Sequence, residues 1–598
     1  MTPAEHALRW RGRERWVVLA THVDASRLLA LWRHWRDDAQ RCGALHLIAM
    51  GPAPPARADL AASACEAAMQ ALRVALIDAW PPLTPDLHTL AFEAGRVQLQ
   101  LAVGEPARWL RELVAQVDAF EIAPSTTDIA PAEARALARL AAPGAVLAAG
   151  ALAPHSQRAL VSAGFAIDAA TAFKTRARYA PAFVATRRAA APRAASGERR
   201  ALVVGGGLAG CAVAWALAER GWRSTVFDLL PAPAGGASGN PAGLFHAVVH
   251  AHDGVHARLH RIAALQAGAE VEIARREHGV AGSTRGLLRQ ETRLDLDAMR
   301  ALLARLRLPV DAVRAVDAAE GEALCGLPRP GLAWFYPGGG WVDPAGLARS
   351  YLARAGTACR FTGRTRIERL RRRGTRWQLL DAQDQIIDEA DTVVLANAGD
   401  AARLAGFDDD PIASVRGQLS WSDIGGDELG VWPRLPLAGP GHALLLEDGR
   451  LVFGATRQRG DLDPNVRLAD HAANLAQLSA LIGRPLPFAV DELQGRTAWR
   501  CTARDRLPLI GALPALDLAL HAKPTAALAR EPGLFVFCAL GSRGIAWSAL
   551  GGRVLAAAVA GGPAPLPAGL LDALDPARFA LRALRRTSGA RDPVQPAS

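Results

Sequence analysis

The chain has 598 residues, 50% hydrophobic and 21% charged, a globular composition that excludes disorder over most of its length. No uncharged apolar run reaches the roughly 18 residues of a spanning helix. The start, MTPAEHALRWRGRERW, has no apolar stretch of the signal-peptide kind, so no secretory signal is expected. The net charge of +11 comes almost wholly from arginine, since Lys174 and Lys523 are the only lysines; it suits a polyanionic partner and equally a generic basic enzyme.

The first unit has α/β rhythm. Trp16–Ala20, Leu45–Ala49, Val117–Ile122 and Ala145–Ala149 read as strands, and Ser26–Arg36 as a helix with Leu28, Leu29, Leu31, Trp32 and Trp35 on its apolar face. Val97-Gln-Leu-Gln-Leu-Ala-Val103 alternates as a half-buried strand should. Helices between such strands imply a mostly parallel sheet. The small, basic stretch from Arg187 to Arg200 contains Pro192 and Gly197 and reads as a linker, with a boundary near 188–198. The expected division is a unit at 1–190, a linker at 191–200, a second unit at 201–585 and a flexible tail at 586–598. The second unit mixes helices such as 254–277 with strands at 392–396, 451–454 and 534–538. Seven cysteines without a C-x-x-C pair argue against a disulfide framework or a zinc site and fit a reducing cytosol.

The second unit opens on Leu202-Val-Val-Gly205-Gly-Gly207-Leu-Ala-Gly210, followed by a helical stretch, a strand and Asp228. Gly205 permits the tight strand-to-helix turn, Gly207 lets backbone approach a pyrophosphate, and Gly210 lets helix pack on strand. The helix N-terminus then offers free N–H groups to phosphate. Asp228 sits where a carboxylate can accept from ribose hydroxyls. This is a dinucleotide-binding pattern, and the motif alone leaves FAD and NAD both open.

Four further segments follow in order: Gly235-Gly-Ala237-Ser238-Gly239-Asn240, Arg416-Gly-Gln418, Arg496-Thr-Ala-Trp-Arg500-Cys-Thr-Ala-Arg-Asp505-Arg-Leu-Pro-Leu-Ile-Gly511, and Cys538-Ala-Leu-Gly541-Ser542-Arg543-Gly544. The series resembles the FAD-dependent amine oxidases of the D-amino-acid and glycine oxidase class. With Tyr336-Pro-Gly-Gly-Gly-Trp-Val-Asp-Pro344 and the two-part layout, nearly the whole chain is similar to the MnmC family of tRNA wobble-uridine modification. The resemblance implies an N-terminal Rossmann-like methyltransferase-type domain, then an FAD-binding Rossmann domain interleaved with an α+β substrate domain. It implies FAD as cofactor, tRNA rather than DNA as partner, no membrane, a cytoplasmic enzyme and no metal. The implied reaction is oxidative removal of the carboxymethyl group of 5-carboxymethylaminomethyl-2-thiouridine, which the family follows by methylating the amine with S-adenosylmethionine (SAM). FAD would be held by Gly205, Gly207, Gly210, Asp228, Ala237, Ser238, Gly239, Asn240, Gly541, Ser542 and Gly544. Arg500 matches the carboxylate arginine of the glycine oxidase pattern, with Arg543 second; a guanidinium fork pairs bidentately with a carboxylate. No general base is evident.

The N-terminal unit departs from its family. Where the family has a SAM loop like T-G-F-G-x-G, this chain has Thr21-His-Val-Asp-Ala-Ser-Arg-Leu-Leu29, with His22, Asp24 and Ser26 in the glycine places. The acid expected after the second strand falls at Gly51, and the Gly-Asp-Ala turn is Gly104-Glu105-Pro106. The segment with the family's catalytic acid is shortened to Val117–Pro124, where Glu121 is the nearest carboxylate. The expectation is a retained fold that binds SAM poorly or not at all.

Two other clusters are read as incidental. His246, His250, His252, His256 and His260 have helical spacing but no cysteine or carboxylate partners, and exposed helix histidines are expected. Arg369, Arg371, Arg372, Arg373 and Arg376 suit tRNA phosphates or a solvated turn between strands. Alternatives to the main reading are an oxidase of a small free amine or amino acid, a non-catalytic tRNA-binding scaffold, and a working bifunctional enzyme. The sequence sets no oligomeric state.

Overall fold

The computed structural model describes residues 1–170, 174–181, 197–327, 331–407, 411–425, 432–515 and 528–582. Most of the expected linker and all of the expected tail lie outside the described residues. The chain divides into two compact units, Met1–Arg187 with Ala560–Leu571, and Arg188–Val559 with Asp572–Ser598.

The first unit is built on eight strands: β1 (Arg15–Ala20), β2 (Ala44–Gly51), β3 (Leu87–Phe92), β4 (Val97–Val103), β5 (Val117–Glu121), β6 (Ala141–Ala149), β7 (Phe165–Ala170) and β8 (Thr175–Tyr179). Their order is β3-β4-β2-β1-β5-β6-β8-β7. The β2–β4, β1–β2, β1–β5 and β5–β6 pairs are parallel, and β3 and β8 run antiparallel to their neighbours. The order reverses between β1 and β5, the switch point of a doubly wound sheet. Helices α1 (Pro3–Trp10) and α2 (Ala25–Asp37) cover one face, where Trp10, Trp16, Trp32 and Trp35 are buried. Phe120, Trp109 and Phe165 fill the other face. Strand β4, expected to be half-buried, is buried on both faces. Its outward side chain Gln100 donates from Nε2 to the carbonyl of Ala564 at 2.9 Å, so the 560–571 segment occupies what alternation marks as the solvent side.

The second unit has two large sheets and two three-stranded ones among the described residues. The nucleotide-type sheet runs Cys359–Thr362, β10 (Arg223–Phe227), β9 (Arg200–Val204), Thr392–Leu395, Arg530–Cys538 and Leu509–Pro514; only the last is antiparallel to its neighbour. The Leu208–Ala218 helix behind β9 is buried from Leu208 to Leu217. The second sheet has nine strands, among them Leu287–Glu291, Leu332–Tyr336, Arg450–Gly454 and Ile412–Asp423, the last paired along ten residues with Gln494–Ala503.

The histidine expectation needs correction. Only His256 and His260 lie on the Val255–His278 helix; His260 is buried, and His246, His250 and His252 precede the helix. Among the described residues no group of three His, Cys, Asp or Glu side chains is arranged to hold a metal. The arginine run forms two paired strands rather than a turn, Arg369–Arg373 against Arg376–Leu380. Its side chains are largely exposed; Arg371 is bound to Gln378, Arg369 to Asp384 and Arg376 to Glu389. No helix of the described residues is long and apolar enough to cross a membrane.

Candidate active site

The turn after β9 is fixed by sterics. Gly205 has φ +104°, and a Cβ there would lie 2.6 Å from the carbonyl oxygen of Ala396. A Cβ on Gly210 would lie 1.9 Å from the carbonyl oxygen of Gly205. Helix and strand therefore touch backbone to backbone, as the motif requires. Gly207 is the N-cap of the Leu208–Ala218 helix and has no side-chain cap of its own. Ser238, in the short helical turn Ala237–Gly239, supplies one: its Oγ accepts from Leu208 N–H at 3.1 Å. The Asp228 carboxylate, at the end of β10, accepts from Gly206 N–H at 2.6 Å and Leu230 N–H at 2.8 Å.

The next segment leans on this cradle. A Cβ on Gly239 would lie 2.7 Å from Arg496 Nη1, and Arg496 Nη2 donates at 2.8 Å to the carbonyls of Gly235 and Gly236. Two polar atoms beside it, Asn240 Oδ1 and Arg496 Nη1, are buried without a hydrogen-bond partner among the described residues. Gly541, with φ +59°, turns the chain from the Arg530–Cys538 strand into the Gly544–Ala560 helix. Ser542 is exposed there, and a Cβ on Gly544 would have only Leu208 and Leu540 near it, both at 3.8 Å. The helix start, capped by a side chain only at Leu208, the close backbone and the unmatched polar atoms fit a dinucleotide.

Next to this cradle lies a group of arginines with little to neutralise them. Arg500, on the Gln494–Ala503 strand, donates from Nη2 to the Thr456 carbonyl at 2.8 Å. Burial lowers its pKa to about 10, and neighbouring Arg457 adds to the effect. Arg543 donates to the His246 carbonyl at 3.4 Å, and its pKa is lowered by burial and by Arg289 and Arg457. Among the described residues no carboxylate pairs with any of these four arginines. Glu291, two places from Arg289, instead accepts from Trp334 Nε1 at 2.7 Å.

The same cations hold the surrounding histidines neutral. Burial and Arg543 push His246 and His260 down to about 3, and burial, Arg500 and Arg457 push His442 down to about 4. Burial raises the Tyr336 phenol to about 12. A partly buried set of unpaired guanidiniums ringed by neutral polar groups is a site for an anion. Of the residues expected from sequence, Arg500 and Arg543 lie in this set. Arg289, Arg457, His246, His260 and His442 were not expected there; Arg457 is exposed, and it is the electrostatic effect of these groups on one another that reveals them. The other residues of these motifs are held in pairs of their own. Arg416 is fully buried on Asp470 at 2.6 Å, Gln418 holds Arg467 by its backbone, and Asp505 takes Arg578 in a two-pronged pair at 2.9 Å.

Comparison with known proteins agrees. The FAD dependent oxidoreductase family matches residues 200–558. The tRNA 5-methylaminomethyl-2-thiouridine biosynthesis bifunctional protein MnmC of Methylibium petroleiphilum is 43% identical, over 97% of this chain and 92% of its own length. The chain belongs to the MnmC family. The MnmC protein of Burkholderia multivorans is 40% identical over 96% of this chain and 91% of its own. Among solved structures, iminodiacetate oxidase from Chelativorans sp. BNC1 shares the fold at TM-score 0.51 and 24% identity, covering 63% of this chain and 99% of its own. L-Proline dehydrogenase from P. horikoshii does so at TM-score 0.53 and 15% identity, covering 65% and 98%.

In this MnmC family member the first unit has side chains where the family's SAM loop has glycines. Asp24 caps α2 through Arg27 N–H at 3.1 Å, and Gly51 offers no carboxylate at the end of β2. The Glu121 carboxylate is taken by Arg27 and His6. The cavity between α2 and strands β1 and β2, which His22, Asp24, Arg27 and Glu121 border, measures about 10 Å³.

Proposed function

We propose that this chain is the FAD-dependent oxidoreductase of tRNA wobble-uridine modification, acting in the cytoplasm. It removes the carboxymethyl group of 5-carboxymethylaminomethyl-2-thiouridine as glyoxylate and leaves the aminomethyl group. The observation that carries the reading is the arginine set without carboxylates, Arg289, Arg457, Arg500 and Arg543, in the same unit as the dinucleotide cradle. The substrate arm is an N-alkylated glycine, so its carboxylate is the anion these guanidiniums suit.

FAD, when bound, supplies the two-electron acceptor for the C–H bond beside that carboxylate. Gly205, Gly207 and Gly210 keep side chains out of its path, and the first-turn N–H groups that follow Leu208 in the Leu208–Ala218 helix would take its phosphates. Asp228 would take ribose hydroxyls, with Ala237, Ser238, Gly239 and Asn240 beside the pyrophosphate and Gly541, Ser542 and Gly544 over the ring. Arg500 fixes the substrate carboxylate, and Arg543 adds a second guanidinium from the covering segment. Holding the arm in this way replaces an encounter by a fixed geometry, the main service a protein renders to a cofactor reaction. His246, His260 and His442 are neutral and face arginines rather than carboxylates, so the substrate nitrogen must arrive unprotonated.

The test is anaerobic mixing of FAD-loaded protein with tRNA bearing the carboxymethylaminomethyl group. Flavin bleaching with glyoxylate release is expected. Bleaching by glycine or sarcosine but not by this tRNA would assign a small-molecule oxidase instead. A protein that takes up no FAD would remove the enzyme reading.

A further inference from the structure

In a doubly wound sheet a ligand sits outside the carboxyl ends of the strands where the order reverses. In the first unit that place lies between the ends of β1 and β5, and it is built shut. The two strand ends are joined directly: Thr21 N–H donates to the Glu121 carbonyl at 3.0 Å, and Ala123 N–H to Thr21 Oγ1 at 2.9 Å. Across the opening lies the Glu121 side chain. Arg27 donates to it from Nε at 3.1 Å and from Nη2 at 2.5 Å, and His6 Nε2 is 2.9 Å from Oε1.

The hydrogen-bond roles form a consistent chain. Trp16 Nε1 can only donate, and it donates to His6 Nδ1 at 3.1 Å. The His6 hydrogen is therefore on Nε2, where it points at Glu121. Burial lowers the His6 pKa, so the ring is a neutral donor, while its bond and Arg27 hold Glu121 at about 2. Residues of α1, β1, α2 and β5 thus meet at one carboxylate whose acceptor capacity is used within the unit. The side-chain relative exposures are 0% for His6 and 8% for Glu121.

A hollow of about 420 Å³ lies along α2 at Ala25, Ser26 and Leu29 without reaching His6, Arg27 or Glu121, whereas the cavity that Arg27 and Glu121 border measures about 10 Å³. That is room for one water, against the roughly 300–1,000 Å³ of a small-molecule site. A nucleoside-sized ligand could enter that small cavity only by breaking the Arg27–Glu121 pair, which would leave the buried Glu121 carboxylate without its guanidinium, a costly state.

We propose that Glu121, Arg27 and His6 form a permanent plug, so that the first unit takes no SAM and the aminomethyl group is the end product of this chain. Any methylation of that amine then falls to a separate enzyme of the N-methyltransferase class. The identity of the product rests on the oxidase reading above; the closure of the crevice does not.

Two measurements on the full FAD-loaded chain test this. The first is equilibrium dialysis against radiolabelled SAM up to millimolar concentration. The second is incubation with SAM and tRNA that already carries the aminomethyl group, followed by nucleoside mass spectrometry. The expected results are no saturable binding and no methylated nucleoside. Saturable binding, or a methylated product in the second experiment, overturns the proposal. Because the amine is supplied ready-made, neither readout depends on the oxidase, whose failure would appear only in the flavin-bleaching experiment.

Discussion

Arg500 and Gly417 meet across paired strands: a Cβ on Gly417 would lie 1.9 Å from Arg500 Nη2 and 2.8 Å from its Cζ. The glycine of the Arg416-Gly-Gln418 segment is therefore a berth for the guanidinium. Replacing it by alanine must push Arg500 off its place while leaving the nucleotide sheet untouched. For Gly417→Ala we expect normal FAD content and a KM for the carboxymethylaminomethyl tRNA raised by roughly 10–100-fold, the worth of a charge-assisted hydrogen bond. An unchanged KM at full FAD occupancy would show that Arg500 does not hold the substrate carboxylate.

Charge and fork can be separated at Arg500 itself. Arg500→Lys keeps a cation but loses the planar pair of donors, and Arg500→Met loses both. We expect kcat/KM to fall about 10-fold in the first and about 100-fold or more in the second, read by anaerobic flavin reduction at several tRNA concentrations. Equal losses in the two variants would mean that bidentate geometry plays no part.

Sequence and structure agree most where one residue type has one physical use. Gly205 and Gly210 are legible because backbone packing leaves no room for a side chain. Arg500 is legible through its place in a family pattern. Arg289 and Arg457 are not, because nothing in their local sequence marks an arginine whose neutralising partner is missing; that is a property of assembled strands. Strand β4 shows the opposite failure. Its alternation of apolar residues with Gln98 and Gln100 is real, but a segment more than 450 positions later in the chain supplies the Ala564 carbonyl that buries Gln100. The five histidines misled for a related reason: helical spacing does not tell that the helix begins only at Val255.

Gly544 and Gly210 should separate cofactor contact from fold. A Cβ on Gly210 collides with the Gly205 carbonyl at 1.9 Å, so Gly210→Ala should lower the stability of the FAD-free protein by about 1–3 kcal/mol or more through forced overpacking. A Cβ on Gly544 meets nothing nearer than 3.8 Å. Gly544→Ala should therefore leave the FAD-free melting temperature unchanged and weaken FAD binding, measured by titrating flavin fluorescence. If Gly544→Ala binds FAD as tightly as the parent, the covering role of the Gly541–Gly544 turn is wrong.

The Glu121 cluster makes the first unit acid-sensitive, with a sign that can be worked out. In the folded chain Arg27 and His6 hold the Glu121 carboxyl at about 2, against an ordinary 4.5. Its contribution is fully present above 4.5 and is lost as pH falls through about 2, amounting to about 3 kcal/mol at neutral pH. The His6 pKa is also lowered in the fold, so the unfolded chain takes that proton first and stability falls as pH drops below 6.5. Both effects act in the same direction. Glu121→Gln removes the carboxylate and leaves Arg27 without its charge partner, so at pH 7 it should melt at lower temperature than the parent. That gap should narrow as pH falls from about 5 towards 3, because the parent is then losing the same interaction. Melting curves of parent and variant across this range decide the matter: a gap that stays constant with pH would mean that Glu121 is not ionised in the folded chain.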